Sequence, residues 1–336
     1  MPIYDIGYQP WEGERLPVSQ RWWPITRTGV RLAWQSKMLR RLIVIAWMPM
    51  AYYAVFFFAV GWVTDRANAT SLSGNGLGML MHAVVRGVFG ETAVERIQAN
   101  PEALRPVAWS VAFYVFFAIT QGFLALLVVS IVGPPLVSRD LKSKAYLIYF
   151  SKPIPVWSYV VGKAGVLAFY MALITLFPAM LLYLLSIAFS PSLGAVLDTA
   201  PVILRLLAAS VVLIVPVTLL VLYLSSITED ERVAVFTWLM IFVFGEIIYG
   251  VVSNNPDFAR SDWIFLVSPR QTAMAVVAGI FDVGGQLKGL GADDAHRTLV
   301  GAYGPNAAKV GAIFLIGVSL LCIRGIARRV TAPVRI

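Results

Sequence analysis

The chain has 336 residues, of which 59% are hydrophobic and 13% charged. A soluble protein carries about 25% charged residues, so an apolar excess of this size, gathered in long blocks, belongs in a bilayer rather than in a soluble core. The formal net charge of +9 does not mark a nucleic-acid partner, because the basic residues gather beside the apolar blocks, where they meet anionic lipid head groups and fix topology.

Residues 1–41 are polar and basic, and the first apolar block comes too late for a cleavable signal peptide. Within them, 24–41 places Val30, Trp34 and Met38 at four-residue spacing with Arg27, Arg31 and Lys37 among them. That pattern predicts a helix lying in the cytoplasmic interface, anchored by Trp22 and Trp23. Six apolar blocks follow, at 42–63, 107–132, 164–189, 202–224, 233–252 and 307–323. A helix needs about 20 such residues to cross ~30 Å of hydrocarbon. The sixth is the weakest, since its core is short and Lys309 has to snorkel to the interface. Pro49, Pro178 and Pro216 each remove a backbone donor and predict bends.

The expected fold is therefore an all-α polytopic membrane bundle. It has a cytoplasmic N-terminal segment (1–41), a six-helix transmembrane domain (42–323) and a basic cytoplasmic tail (324–336). With the N-terminus inside, the segments 1–41, 133–163, 226–232 and 324–336 hold 17 of the 27 Lys and Arg residues, which favours both termini in the cytoplasm.

Two larger segments fall on the other side. Residues 64–106 include a short surface helix at 90–98, and Asn68-Ala69-Thr70 fits a glycosylation acceptor that has meaning only in a eukaryotic cell. In 253–306 an apolar run at 263–267 is interrupted by Ser268-Pro269-Arg270-Gln271 and resumes at 272–281. Neither half can span alone. The pattern predicts a re-entrant helical hairpin whose broken backbone is covered by protein, the alternative being a segment packed on the bundle surface.

Glu246, inside the fifth block, is the sharpest single residue. A carboxylate at the bilayer centre costs roughly 2.5–3.5 kcal/mol on insertion scales and faces a cavity or a partner. Three readings stay open. It lines a translocation path between two protomers, with Thr120 and Gln121 of the second block opposite; it is a protonated structural hydrogen-bonder; or it pairs with Arg205 of the fourth block.

The most informative stretch is the first cytoplasmic loop, 133–163. Pro134-Pro135 stops the second span, and an amphipathic helix is expected over 138–150, with Leu141 and Ala145 on one stripe and Arg139 and Lys142 off it. Pro153 and Pro155 end that helix. The run Ser138-Arg139-Asp140-Leu141-Lys142-Ser143-Lys144-Ala145, followed by Tyr149-Phe150-Ser151-Lys152-Pro153-Ile154 and by Ser158-Tyr159-Val160-Val161-Gly162-Lys163, resembles the loop of the ABC-2-type permease family. These are the membrane subunits of ATP-binding-cassette exporters. The resemblance implies that the loop is a coupling helix seated on a nucleotide-binding subunit, with Ser138, Arg139, Asp140, Lys142 and Lys144 as candidate contacts. It also implies a second, smaller contact at the turn 228–232 through Glu229 and Asp230. The same acids fit a plain helix cap.

From the resemblance, the expected partners are a separate ABC ATPase subunit, which brings ATP and Mg, and a second permease copy or homologue in a prokaryotic plasma membrane. Membrane lipids are expected as well, with no nucleic acid. This chain lacks any G-x-x-x-x-G-K-[ST] run, so it cannot hydrolyse ATP by that route and is expected to hold no cofactor and to be no enzyme. One cysteine, Cys322, excludes an intrachain disulfide, and the distant His82 and His296 argue against a histidine metal centre. Val283-Gly284-Gly285-Gln286 resembles part of an ATPase signature by coincidence, and Asp293-Asp294-Ala295-His296 is at most a weak cation site. The alternatives are an ABC-type scaffold that moves no substrate but pushes on an external accessory protein, a polytopic membrane enzyme, or a channel. The last two need polar clusters that the spans lack.

Overall fold

The computed structural model describes residues 17, 20–64, 83, 86, 87, 89–100, 104–145, 155–188, 194–254 and 263–331. The Asn68-Ala69-Thr70 site, His82, and the Tyr149–Ile154 part of the loop motif lie outside the described residues, as does the side chain of Gln121. No strand occurs among the described residues. Among the described residues six helical stretches are long and apolar enough to cross a membrane, Lys37–Gly61, Leu104–Lys142, Val156–Ala188, Pro201–Ile227, Glu231–Ser253 and Ala307–Arg329, and the bent pair Pro269–Ile280 and Val283–Leu290 is so when taken together.

The helix expected over 24–41 is divided in two, α1 (Trp22–Trp34) and α2 (Lys37–Trp47), the second of which opens the first span. Ser36 divides them. Its backbone is extended (φ −66°, ψ 115°) and its hydroxyl accepts from Leu39 N at 3.4 Å, capping α2. The first span therefore starts at Lys37, earlier than its apolar run, and restarts after Met48 as α3 (Pro49–Thr64), with Pro49 opening the new helix.

Proline explains the break in the third span as well. α8 (Val156–Ile174) and α9 (Leu176–Ala188) meet at Thr175, and Pro178 has no N–H to offer the Ile174 carbonyl. Further along, α10 (Gly194–Ile227) carries Pro201 and Pro216 without ending, and α11 (Glu231–Ser253) follows after a short turn. The helix of the sixth span, α15 (Ala307–Thr331), continues beyond the expected 323. Its basic residues Arg324, Arg328 and Arg329 lie on the helix.

α1 lies along α8 through a seam of small residues. A Cβ on Gly162 would stand 2.8 Å from Ile25 Cβ, and one on Gly165 would stand 2.8 Å from Thr26 Oγ1. Close approach allows Thr26 to donate to Gly162 O (2.9 Å) and Tyr170 to donate to Val30 O (2.7 Å).

At the other end of the bundle sit α4 (Glu91–Ala99), α12 (Pro269–Ile280), α13 (Val283–Leu290) and α14 (Asp293–Val300), ahead of α15. α12 is preceded by a 3₁₀ turn, Ile264–Val267, and bends by 57° into α13. Neither α12 nor α13 alone is long enough to span. The tip of this element meets the fifth span. A Cβ on Gly245 would lie 3.0 Å from Val267 O and 3.1 Å from Ser268 Cα. The far end of α12 meets the start of α15, where a Cβ on Gly279 would lie 2.3 Å from Ala308 Cβ. So α12 begins against Gly245 of the fifth span and ends against the start of α15, with the break at Ser268 as the interrupted apolar pattern predicts. Ser268 caps it by accepting from Gln271 N (3.1 Å), and Thr272 donates to the Phe265 and Ser268 carbonyls (2.9 Å each). The exposed-backbone problem of a broken membrane helix is thus met by protein groups.

Among the described residues the interior holds two large apolar clusters and a small one around Phe265, Ala275 and Ala307. Of the large two, the one towards the α12–α14 end is aromatic. Phe57 packs on Trp109 at 5.8 Å, Trp109 on Tyr183 at 5.7 Å, and Phe113 on Phe281 at 6.2 Å. The other joins α2, α8, α10 and α11 through Leu39, Leu167, Tyr170, Val221 and Trp238.

Candidate functional site

Two polar constellations interrupt this apolar molecule. The first is at the end of the second span. That span runs from α5 (Leu104–Ile119) through a π-turn (Thr120–Leu124) to α6 (Ala125–Val132) and then α7 (Pro135–Lys142). The expected stop at Pro134-Pro135 is in fact the start of α7. Proline in the first turn gives up an N–H that would have no helical partner. α7 also ends earlier than the expected 150: Ser143 closes it and Lys144 adopts a left-handed conformation (φ 53°). The remaining orphan donors at its start go to Ser225 of α10, whose hydroxyl accepts from Val137 N (3.1 Å) and Ser138 N (3.0 Å) while donating to Pro134 O.

The candidate contacts separate by position. Ser138 is fully buried and donates to Pro134 O at 2.7 Å, so its side chain builds the element and is not on its surface. Asp140 faces inward to α8, accepting from Tyr159 Oη (2.8 Å) and pairing with Lys163 Nζ (2.8 Å). Arg139 faces the other way and bridges to Glu231 of α11 at 2.6 Å, through a well-exposed pair. Lys142, Lys144, Glu229 and Asp230 are exposed. Asp230 does cap α11, accepting from Arg232 N at 2.9 Å. Between α7 and this turn lies a polar cleft of about 490 Å³ lined by Arg139, Lys142, Glu229, Asp230, Glu231 and Arg232. Its three basic and three acidic side chains offer paired charges to a partner. Glu231, Arg232 and the Asp140 anchors Tyr159 and Lys163 were not singled out from the sequence, although all four sit in stretches it marked as informative.

The second constellation surrounds Glu246. Its partner is Arg270 on α12 (3.1 Å), not Arg205. The carboxylate also accepts from Ser268 Oγ and from Gln271 Nε2 (3.1 Å). Arg270 donates further to Ala118 O (3.2 Å), two residues before the π-turn, while its Nε is buried without a partner. Gln271 accepts from Tyr303 Oη (2.8 Å), tying the group to the α14–α15 connection. Tyr303 is deeply buried, which raises its pKa and keeps it a donor. Thr120 is brought to the same level but points elsewhere: it is fully buried and donates to the Phe116 and Phe117 carbonyls (3.1 Å each), inside the π-turn whose Gly122 is non-helical (ψ −115°). No group of three or more His, Cys, Asp and Glu side chains able to hold a metal ion comes together among the described residues.

Residues 88–323, more than two-thirds of the chain and including both constellations, match the family described as ABC-2 family transporter protein. The chain belongs to the ABC-2 transporter family. It is thus a membrane permease subunit of an ABC transporter, and ABC-2 permeases associate with an ABC ATPase subunit and are generally non-catalytic themselves. No curated protein matches this ABC-2 chain.

Proposed function

We propose that this permease works as an exporter, as a dimer, and docks its ATPase subunit on the face built by α7 and the turn 228–232. The observation that carries the reading is the Arg139–Glu231 bridge over the polar cleft. An exposed ion pair of this kind contributes little to stability, so its presentation beside Lys142, Glu229 and Asp230 favours a surface for recognition. ATP and Mg would be held by the partner. Motion of α7 would pass directly to the second span, with which α7 is continuous. It would pass to the fourth span through Ser225 and to the third through Asp140 and Lys163. Glu246 and Arg270 would flank the translocation path as a neutralised pair, with Thr120 and the π-turn supplying a point where the second span can change shape. The fifth span presents an apolar face, with Phe236, Phe244, Ile247 and Val251 exposed, which a second copy can cover.

A second reading, force transmission to an external protein without cargo, is favoured by the Tyr303–Gln271–Glu246 chain, which links the spans to the end cap. ATP turnover with no transported molecule would select it.

The docking proposal is tested by purifying the native complex in mild detergent and identifying what remains bound. The wild type is expected to retain an ATPase subunit, and Arg139→Ala/Lys142→Ala/Glu229→Ala to lose it while staying folded. An ATPase retained equally by both would remove the α7 face from the reading.

A further inference from the structure

From residue 16 to residue 64 the sequence contains no Asp or Glu. Within that stretch α1 exposes Arg27 and Arg31, and the first turns of α2 expose Lys37, Arg40 and Arg41. None of these five has an acidic partner among the described residues. Such crowding is unfavourable on its own. Lys37, Arg40 and Arg41 share one helix face at the positive end of the α2 dipole, where acids rather than bases are favoured. Ser36 already caps the helix start, and what lacks a counter-charge is the side-chain cluster.

The same face continues as an apolar stripe. Lys37, Arg40 and Arg41 line a surface groove of about 580 Å³ together with Val44 and Ile45. Val44, Met48, Tyr52 and Val55 follow at helical spacing, each more than 60% exposed. Val55 lies fourteen positions beyond Arg41, or about 21 Å along the helix, enough to cover the ~15 Å depth of one leaflet.

We propose that this groove is a binding site for one anionic phospholipid. The head-group phosphate is held by Lys37, Arg40 and Arg41, and an acyl chain lies along Val44, Met48, Tyr52 and Val55. Charge complementarity selects an anionic over a zwitterionic lipid. The apolar stripe selects a lipid over free phosphate. A bound lipid here would brace the α1–α2 elbow and, through the Gly162–Gly165 seam, the position of the third span. This inference concerns residues distinct from those of the α7 cleft and does not depend on ATPase docking there.

The test is lipid binding by native mass spectrometry on the full-length protein, delipidated in neutral detergent and titrated with phosphatidylglycerol or phosphatidylcholine of the same acyl chains. The wild type is expected to hold one phosphatidylglycerol per protomer with a preference of about 10–100-fold over phosphatidylcholine. Lys37→Gln/Arg40→Gln/Arg41→Gln should lose the preference and Lys37→Arg/Arg40→Lys/Arg41→Lys should keep it. A control removing the same charge elsewhere, Arg324→Gln/Arg328→Gln/Arg329→Gln, should also keep it. Glycerol phosphate in excess should fail to displace the lipid. Equal loss in the control variant, or an unchanged preference in the glutamine variant, would overturn the site, and displacement by glycerol phosphate would overturn the role of the stripe.

Discussion

Two neighbours on α7, Arg139 and Asp140, show how burial decides what an ion pair does. Arg139 meets Glu231 at 2.6 Å in the open, whereas Asp140 meets Lys163 at 2.8 Å with side chains only 16% and 13% exposed. Exposed pairs are worth about 0–1 kcal/mol; breaking a buried one by removing one partner costs about 3–5 kcal/mol. Arg139→Ala should therefore leave thermal stability in detergent nearly unchanged while weakening ATPase binding. Asp140→Ala should lower stability by on the order of 3 kcal/mol. The two effects are separable by scanning fluorimetry alongside co-purification. Glu246 gives a complementary case. Glu246→Ala strands the Arg270 guanidinium and should cost about as much as Asp140→Ala. Glu246→Gln keeps an acceptor for Ser268 and should cost less. Both variants should retain the ATPase subunit, since Glu246 lies at the far end of the fifth span from Glu231, and a loss of transport with ATPase retained would mark the path.

At the scale of elements, the spans were legible because an apolar run of about 20 residues has few alternatives. Their ends were not. Helices continue through basic residues, as α15 does past Arg324, because hydrogen bonding along the backbone does not stop where hydropathy falls. Pro134-Pro135 was readable as a stop, but the same residues serve equally well as the first turn of a new helix, and only the Ser225 bonds from α10 decide between the two. The Glu246–Arg270 pair was half visible. Both residues stood out, one as a buried acid and the other in the polar break of an apolar segment, but their meeting depends on Gly245 admitting the Ser268 tip to the fifth span. The α1–α8 seam rests on glycines in the same way. Gly162→Val would place a methyl-bearing carbon against Ile25 and the Trp22 carbonyl. It should release α1, seen as faster tryptic cleavage at Arg27 and Arg31 with the six spans intact.

For the whole molecule, the arrangement is a bundle with unlike ends. One carries α7, the 228–232 turn and the basic α1–α2 elbow. The other carries the α12–α14 cap, held to α4 by Arg96 donating to Gly289 O (2.7 Å) and Thr92 to Gly291 O (2.6 Å). The excess of Lys and Arg at the first end supports the proposal that this end faces the cytoplasm. On that proposal, the ATPase docks on α7 and any external partner meets the cap. The most direct measurement is site-specific photo-crosslinking in intact membranes, with a benzophenone side chain placed at Lys142 or, on the cap, at Arg297. The account predicts that position 142 captures the ATPase subunit and position 297 does not. An ATPase crosslink from position 297, or its absence at 142 when the complex is present, would contradict it.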